Sequence, residues 1–307
     1  MEFAKSFFDF LDGQEKFRNF DYGSFSFIDF KNSKFETFNF SLKEKETLDY
    51  NPIFDLASLT KPLTMGMASI INKDQIRKEV LSLVEHRAGL PAFGRLKKES
   101  WKENISSFPL KESDVLYSDY SALRAQLEME GLFKKDFQTL CHEHLDEKVT
   151  FWKDLTDLEM EICLPTGVRQ GKVIKGEVHD PNAYNLGEFC AHAGLFGDIH
   201  KLSELLVSFN QKFDLLRFLN SASESSDKRF LYGFDRVQDL EKTLAGRGCS
   251  HKTFGHLGFT GTSMWMDSEI QRGVVILTNA TQNFWFERKF LNNLRKFVGE
   301  FAWNLEK

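Results

Sequence analysis

Hydrophobic and polar positions alternate near the start of the chain, run as short apolar strands near its end, and read mostly as helix and loop between them. Residues 2–12 place apolar side chains on one face, which predicts a short amphipathic helix ending near Gly13. Ser24 to Phe30 alternates, and Phe35 to Lys43 alternates again. Lys31-Asn32-Ser33-Lys34 has turn chemistry, so the two runs predict a hairpin. Ser58 to about Ile71 reads as helix, and residues 76–240 read mostly as helix and loop, with charged faces around 97–104 and 124–160. Two further strands are expected at Phe259–Met266 and Arg272–Asn279, turning at Asp267-Ser268-Glu269. Residues 286–306 close the chain as an amphipathic helix. Strands at both ends pair most simply in one sheet under the terminal helices, with a helical lobe inserted between them. A cleft between the two lobes is a natural site.

Composition narrows the function classes. Of 307 residues, 41% are apolar and 28% charged, which describes an ordinary globular chain rather than a disordered one. No apolar run approaches the ~20 residues of a membrane helix; Gly273–Thr278 is only strand-length. Lys+Arg total 40 against Asp+Glu 45, so a net charge of −5 offers no footprint for nucleic acid or an anionic membrane. The 32 Phe are expected to stand for Leu and Val in the core. Cys141, Cys163, Cys190 and Cys249 are scattered without a Cys-x-x-Cys pair and read as free thiols of a reducing compartment. The first ten residues carry Glu, Lys and Asp and lack a secretory apolar core, unless an export signal has been removed.

Three short segments carry candidate chemistry. In Phe54-Asp55-Leu56-Ala57-Ser58-Leu59-Thr60-Lys61-Pro62, Ser58 and Lys61 share a helical face. Serine needs a neighbouring base to become a nucleophile, and a desolvated lysine can fall in pKa and serve. The alternative is a helix cap beside a surface lysine. The pattern recurs at Ser225-Ser226-Asp227-Lys228, in a Ser/Asp-rich stretch that reads as an exposed loop. In Val115-Leu116-Tyr117-Ser118-Asp119, Tyr117 and Asp119 are spaced to point into one cleft, and a tyrosinate beside a cation can act as a general base. The alternative makes Asp119 a helix cap. In Phe254-Gly255-His256-Leu257-Gly258-Phe259, His256 precedes a small-residue edge strand, and Gly258 lets a substrate backbone approach. N–H groups along such an edge are oxyanion-hole material. The alternative is a glycine turn with a surface histidine.

In this chain order the three segments resemble the serine β-lactamase and penicillin-binding-protein superfamily. The similarity is to its class C-like branch of D,D-peptidases, esterases and β-lactamase-related hydrolases. Leu83–Pro91 resembles that branch's "LLxHxSGLP" segment. Gly176–Ala183 and Ala191–Gly197 resemble "VHDxNA…GHAGLF", and Ile276–Asn279 resembles "LLTN". The resemblance spans residues 20 to 300. It implies a single α/β (α+β) domain of β-lactamase/transpeptidase-like type, with a sheet lobe at about 1–60 and 240–307 and a helical lobe at about 61–239. It implies ester or amide hydrolysis through an acyl-enzyme at Ser58, with no cofactor and no metal. Lys61 would accept the serine proton or lower the pKa of Tyr117. Tyr117 would protonate the leaving group and later activate water. The N–H groups of Ser58 and Phe259 would form the oxyanion hole, and His256 stands where the family has Lys or His.

Two departures bear on substrate. Asp119 replaces the usual Asn, so a carboxylate stands where an amide would donate to a substrate carbonyl, and its charge is free to pair with Lys61. Leu257 replaces the Thr whose hydroxyl helps bind a substrate carboxylate in D,D-peptidases and β-lactamases. Both weaken the case for penicillins and D-Ala-D-Ala termini and leave two rivals to a plain hydrolase: a true D,D-carboxypeptidase or β-lactamase, and a degenerate binding relative. Cys141-His142-Glu143-His144 lacks a fourth ligand and reads as a solvated helix face. His179, Asp180 and His192 are expected to hold loops beneath the cleft. The expected partner is a small-molecule or peptide substrate, with no nucleic acid and no membrane insertion; the sequence sets no oligomeric state. The expected location is cytoplasmic, or periplasmic if a leader was lost.

Overall fold

The computed structural model describes residues 2–14, 20–283 and 286–305. The first helix, Glu2–Asp12, buries Phe3, Phe7 and Leu11, three positions four residues apart that form one stripe. The strands Tyr22–Asp29 and Lys34–Ser41 form the hairpin, whose register closes at Asp29 opposite Lys34. The N-terminal strand also pairs with the last strand, Arg272–Thr278, from Gly23 opposite Thr278 to Asp29 opposite Arg272. The two ends of the chain therefore build one antiparallel sheet of eight strands. Its order is 46–47, 34–41, 22–29, 272–278, 263–267, 253–257, 234–236, 230–231.

Period-2 alternation sends side chains to the two faces of this sheet. Phe25, Phe27, Trp265, Val274 and Ile276 face the terminal helices Glu2–Asp12 and Lys289–Trp303. Met264, Met266, Val275 and Leu277 face the inserted helices. Phenylalanine fills the first layer in edge-on pairs, with Phe3 and Phe27 at 4.7 Å and 89° and Phe7 and Phe25 at 4.9 Å and 66°. A Phe7→Leu variant is expected to lose about 1 kcal/mol, because a smaller side chain of different shape cannot fill the fully enclosed site. A fall in the denaturant midpoint at unchanged slope would measure it.

The structure departs from the sequence reading in four places. The strand expected at 259–266 begins only at Ser263, and Thr253–Leu257 is a strand instead. Between them Gly258 N–H donates to the Thr262 carbonyl at 2.7 Å, and Gly261 takes φ +108°, so this is a tight turn. Residues 76–240 hold short strands as well as helices: 195–197 pairs with 54–55 and 150–151, and 165–169 pairs with 172–175. Strands of two to five residues leave no periodicity to read. The segment from 58 to 71 is helical but irregular, running from a 3₁₀ turn at Ala57–Leu59 through a π turn at Pro62–Gly66 to an α-helix at Met67–Ile71. The closing helix is Lys289–Trp303, and residue 306 of its expected span lies outside the described residues. No helix of the described residues is long and apolar enough to cross a membrane.

Candidate active site

The strand Phe54–Asp55 pairs with Phe196 and Gly197 and delivers the chain to Ser58. Lys61 follows one turn later with its whole side chain buried. Its Nζ lies 3.2 Å from Ser58 Oγ, 3.0 Å from the His192 carbonyl and 2.7 Å from Asp119 Oδ1. An ammonium has three hydrogens, and three acceptors surround it. Burial alone would lower its pKa, but Asp119 first and then Tyr117 outweigh that and raise it above the usual lysine value. Of the sequence alternatives, the geometry favours the one in which the Asp119 charge pairs with Lys61 over a lysine of low pKa.

Ser118 caps the helix Asp119–Phe133, with Ser121 N–H donating to its Oγ at 2.9 Å. Asp119 is therefore not the cap; as the first helical residue it turns its carboxylate to Lys61. Tyr117, just before the cap, packs its ring 4.7 Å from that of His86 and 6.0 Å from that of Phe230. Its hydroxyl end reaches both Lys61 and Ser58, and burial raises its pKa while Lys61 opposes the rise. His86 stands in the left-handed region at φ +58° and accepts the Ser118 N–H at 3.3 Å, so this segment fixes the tyrosine from behind.

His256 lies on the strand Thr253–Leu257, whose Phe254 and Gly255 are paired on both sides while His256 pairs with Met264 on one side only. It is buried rather than on the surface. Its Nδ1 lies 2.8 Å from the Leu257 carbonyl. A carbonyl only accepts, so Nδ1 carries the hydrogen and Nε2 keeps a lone pair, which has no hydrogen-bond partner among the described residues. Burial, then Lys61, pushes the His256 pKa down to about 3, so the ring is neutral. Its ring stands 5.7 Å from that of Tyr117. Gly258 serves the chain's own packing: a Cβ there would meet Thr262 Oγ1 at 1.8 Å and the Leu56 carbonyl at 2.9 Å. Thr260 and Thr262 donate to the carbonyls of Asp55 and Leu56 at 2.8 and 3.0 Å, tying this turn to the Ser58 segment.

Two cavities meet at Ser58, Tyr117 and Phe259. The first, of about 650 Å³, is walled by Gly167, Val168, His179, Asp180, His192 and Asp119 among others. His192 Nε2 pairs with Asp180 Oδ1 at 3.0 Å. Burial disfavours the imidazolium, yet Asp180 raises the His192 pKa to about 10, so the stability this gives is full below about 6.5 and is lost as pH rises through about 10. The second, of about 470 Å³, holds His256, Arg229, Arg288 and Arg295. Arg229 is bound to Asp235 at 2.8 and 2.9 Å. Arg295 is buried, has no ion-pair partner among the described residues, and donates to the Thr262 carbonyl at 2.8 Å. Burial, then Arg288, lowers its pKa to about 9.

All seven residues singled out in the sequence, Ser58, Lys61, Tyr117, Asp119, His256, Gly258 and Phe259, line this cleft or lie directly beneath it. The second Ser-x-x-Lys copy lies apart, with Lys228 bound to Glu85 at 2.6 Å. Cys141 and His144 are in the core, not on a solvated face; the His144 Nε2–H meets the Leu63 carbonyl at 2.8 Å. The three arginines and Asp55 were not singled out. Only Asp55 had a signal, its place inside the nucleophile segment.

With this geometry in hand, known proteins place the chain. No family model matches it. A putative D-alanyl-D-alanine carboxypeptidase of Salmonella gallinarum is 26% identical, covering 81% of this chain and 68% of its own length. A β-lactamase from Mycobacterium bovis superposes with TM-score 0.59 over 95% of this chain and 96% of its own, at 17% identity. EstCE1, a hydrolase with promiscuous acyltransferase activity, superposes with TM-score 0.64 over 98% and 100%, at 15% identity. SurE bound to D-Leu gives 0.63 over 97% of this chain and 75% of its own, at 15% identity. The fold is that of the serine β-lactamases and penicillin-binding proteins, a mixed α/β architecture of antiparallel sheet and helices. The resemblance drawn from the motifs agrees with these likenesses at the level of the fold.

Proposed function

We propose that this protein is a serine hydrolase that cleaves an ester or amide through an acyl-enzyme at Ser58. The observation that carries this reading is Ser58 Oγ at 3.2 Å from a buried, fully hydrogen-bonded lysine, where two cavities meet. Ser58 Oγ attacks the substrate carbonyl while the N–H groups of Ser58 and Phe259 receive the oxyanion. Lys61 is already protonated, so it acts as fixed positive charge and favours the tyrosinate form of Tyr117. Tyr117, in the tyrosinate form that Lys61 favours, takes the serine proton and then returns it to the leaving group as the acyl-serine forms. In the second half the same groups take a proton from water, which attacks the acyl carbon and releases the acid and Ser58.

Arg288 and Arg295 favour a second reading, D,D-carboxypeptidase or β-lactamase. They give the second cavity a positive wall that can take the substrate carboxylate for which Leu257 offers no hydroxyl. Labelling with a fluorophosphonate and with a fluorescent penicillin tests both. Labelling of Ser58 by the fluorophosphonate alone is the expected result. Labelling by both establishes the penicillin-recognising reading, and labelling by neither makes the protein a binding relative without hydrolase activity. The four cysteines are all free and buried, which supports a reducing, cytoplasmic setting; recovery from the periplasm on fractionation would overturn it.

A further inference from the structure

The residue before Ser58 has an unusual backbone. Ala57 takes φ +48°, a left-handed conformation that a side chain disfavours and that persists only where the surroundings hold it. The holding group is Asp55, buried to 1% exposure at the end of its strand. Its Oδ1 accepts the Ala57 N–H at 2.8 Å, closing a turn of the kind Asp side chains make two residues ahead. Its Oδ2 accepts the His179 N–H at 2.6 Å, from the opposite wall of the first cavity. One carboxylate thus spans 124 residues of sequence and fixes two sides of the cleft. Elsewhere its backbone is held too, since Thr260 Oγ1 donates to its carbonyl.

We propose that Asp55 is a positioning residue, whose carboxylate locks the left-handed turn at Ala57 against the His179 loop and so aims Ser58 Oγ at the substrate carbonyl. The proposal rests on the hydrolase reading above. The carboxylate has no ion-pair partner among the described residues. Asp180 faces it with like charge, Arg169 and Cys163 lie nearby, and His179 meets it with a backbone N–H. Burial, the largest effect, pushes its pKa up to about 6. Both N–H bonds need the ionised form, because a protonated oxygen facing an N–H sets donor against donor. In sign, the folded state binds this proton more tightly than the unfolded chain. The carboxylate therefore weakens the fold as pH rises from about 4 to about 6, while completing the turn.

The test compares the fluorophosphonate labelling rate of the full chain with that of Asp55→Asn, and with that of Asp55→Asn combined with Ala57→Gly, across pH 5 to 8, saturating the probe to separate binding from the acylation step. An amide keeps one of the two bonds and opposes the other. The single variant is expected to label at least about tenfold more slowly in the acylation step, with probe binding changed less than about twofold. The wild-type rate should fall as pH drops through about 6, and the variant should lack that limb. Gly at 57 adopts positive φ without the clamp, so the double variant should recover about threefold or more of the loss. Equal labelling of wild type and Asp55→Asn, a loss seen only in probe binding, or no rescue by Ala57→Gly overturns the proposal. A wild type that does not label at all overturns the hydrolase reading and this proposal with it.

Discussion

Ser58→Ala is expected to abolish fluorophosphonate labelling and to lower any esterase activity by at least about 10⁴-fold, the loss typical of removing a serine nucleophile. Stability should change by about 1 kcal/mol or less, because Ser58 accepts only one of the three Lys61 hydrogen bonds and is half open to the cleft. The comparison is clean for that reason. Mass spectrometry of the labelled peptide gives the site, and a thermal scan gives the stability. Persistence of labelling in Ser58→Ala would move the nucleophile elsewhere and end the hydrolase reading. The distant Ser225 offers no substitute, since Lys228 in its motif is bound to Glu85 and cannot serve it.

The nucleophile segment was legible because it is contiguous: Ser58 and Lys61 sit one turn apart, and spacing alone puts them on one face. The sheet was legible because Ser24 to Phe30 alternates and Val274 to Leu277 is a short, continuous apolar run of strand length. Placing these two strands side by side followed from the simplest packing, and the register Phe25 opposite Ile276 realises it. What spacing does not carry is the charge state of a buried group. Lys61 in a dry pocket reads as a lysine of low pKa until the position of Asp119, 58 residues away, is known. The turn Gly258–Thr262 was read as strand because small and β-branched residues suit both, and only Gly261 at φ +108° separates them. The arginine wall was hidden for another reason. Arg229 comes just before the short strand Phe230–Leu231, and Arg288 and Arg295 come from the last helix, so no local motif joins them.

The pair Lys61–Asp119 sets the largest remaining expectation. Lys61→Met removes the cation that touches Ser58 and leaves Asp119 charged beside Tyr117, so acylation should fall by about 10³-fold. Stability should fall by about 2–3 kcal/mol, less than for a fully buried pair because the Asp119 side chain is 24% exposed. Asp119→Asn acts differently. It removes the larger of the two influences that raise the Lys61 pKa and leaves Tyr117 alone against burial, so that pKa falls. It also restores an amide that donates to a substrate carbonyl. Labelling by the fluorescent penicillin should therefore increase by about tenfold and rise with pH as Lys61 loses its proton. In wild type the raised pKa keeps Lys61 charged through neutral and mildly alkaline pH; the stabilisation that its charge contributes is present below about 10.5 and is lost only as pH rises through the folded value. The double variant Lys61→Met, Asp119→Asn should lose about 1.5 kcal/mol or more less stability than the two single losses summed, since neither charge is then stranded. Additive losses in that cycle would mean that Lys61 and Asp119 act separately. A pH-independent Asp119→Asn rate would mean that Lys61 stays a cation without its partner and that burial, not Asp119, is the weaker influence at this site.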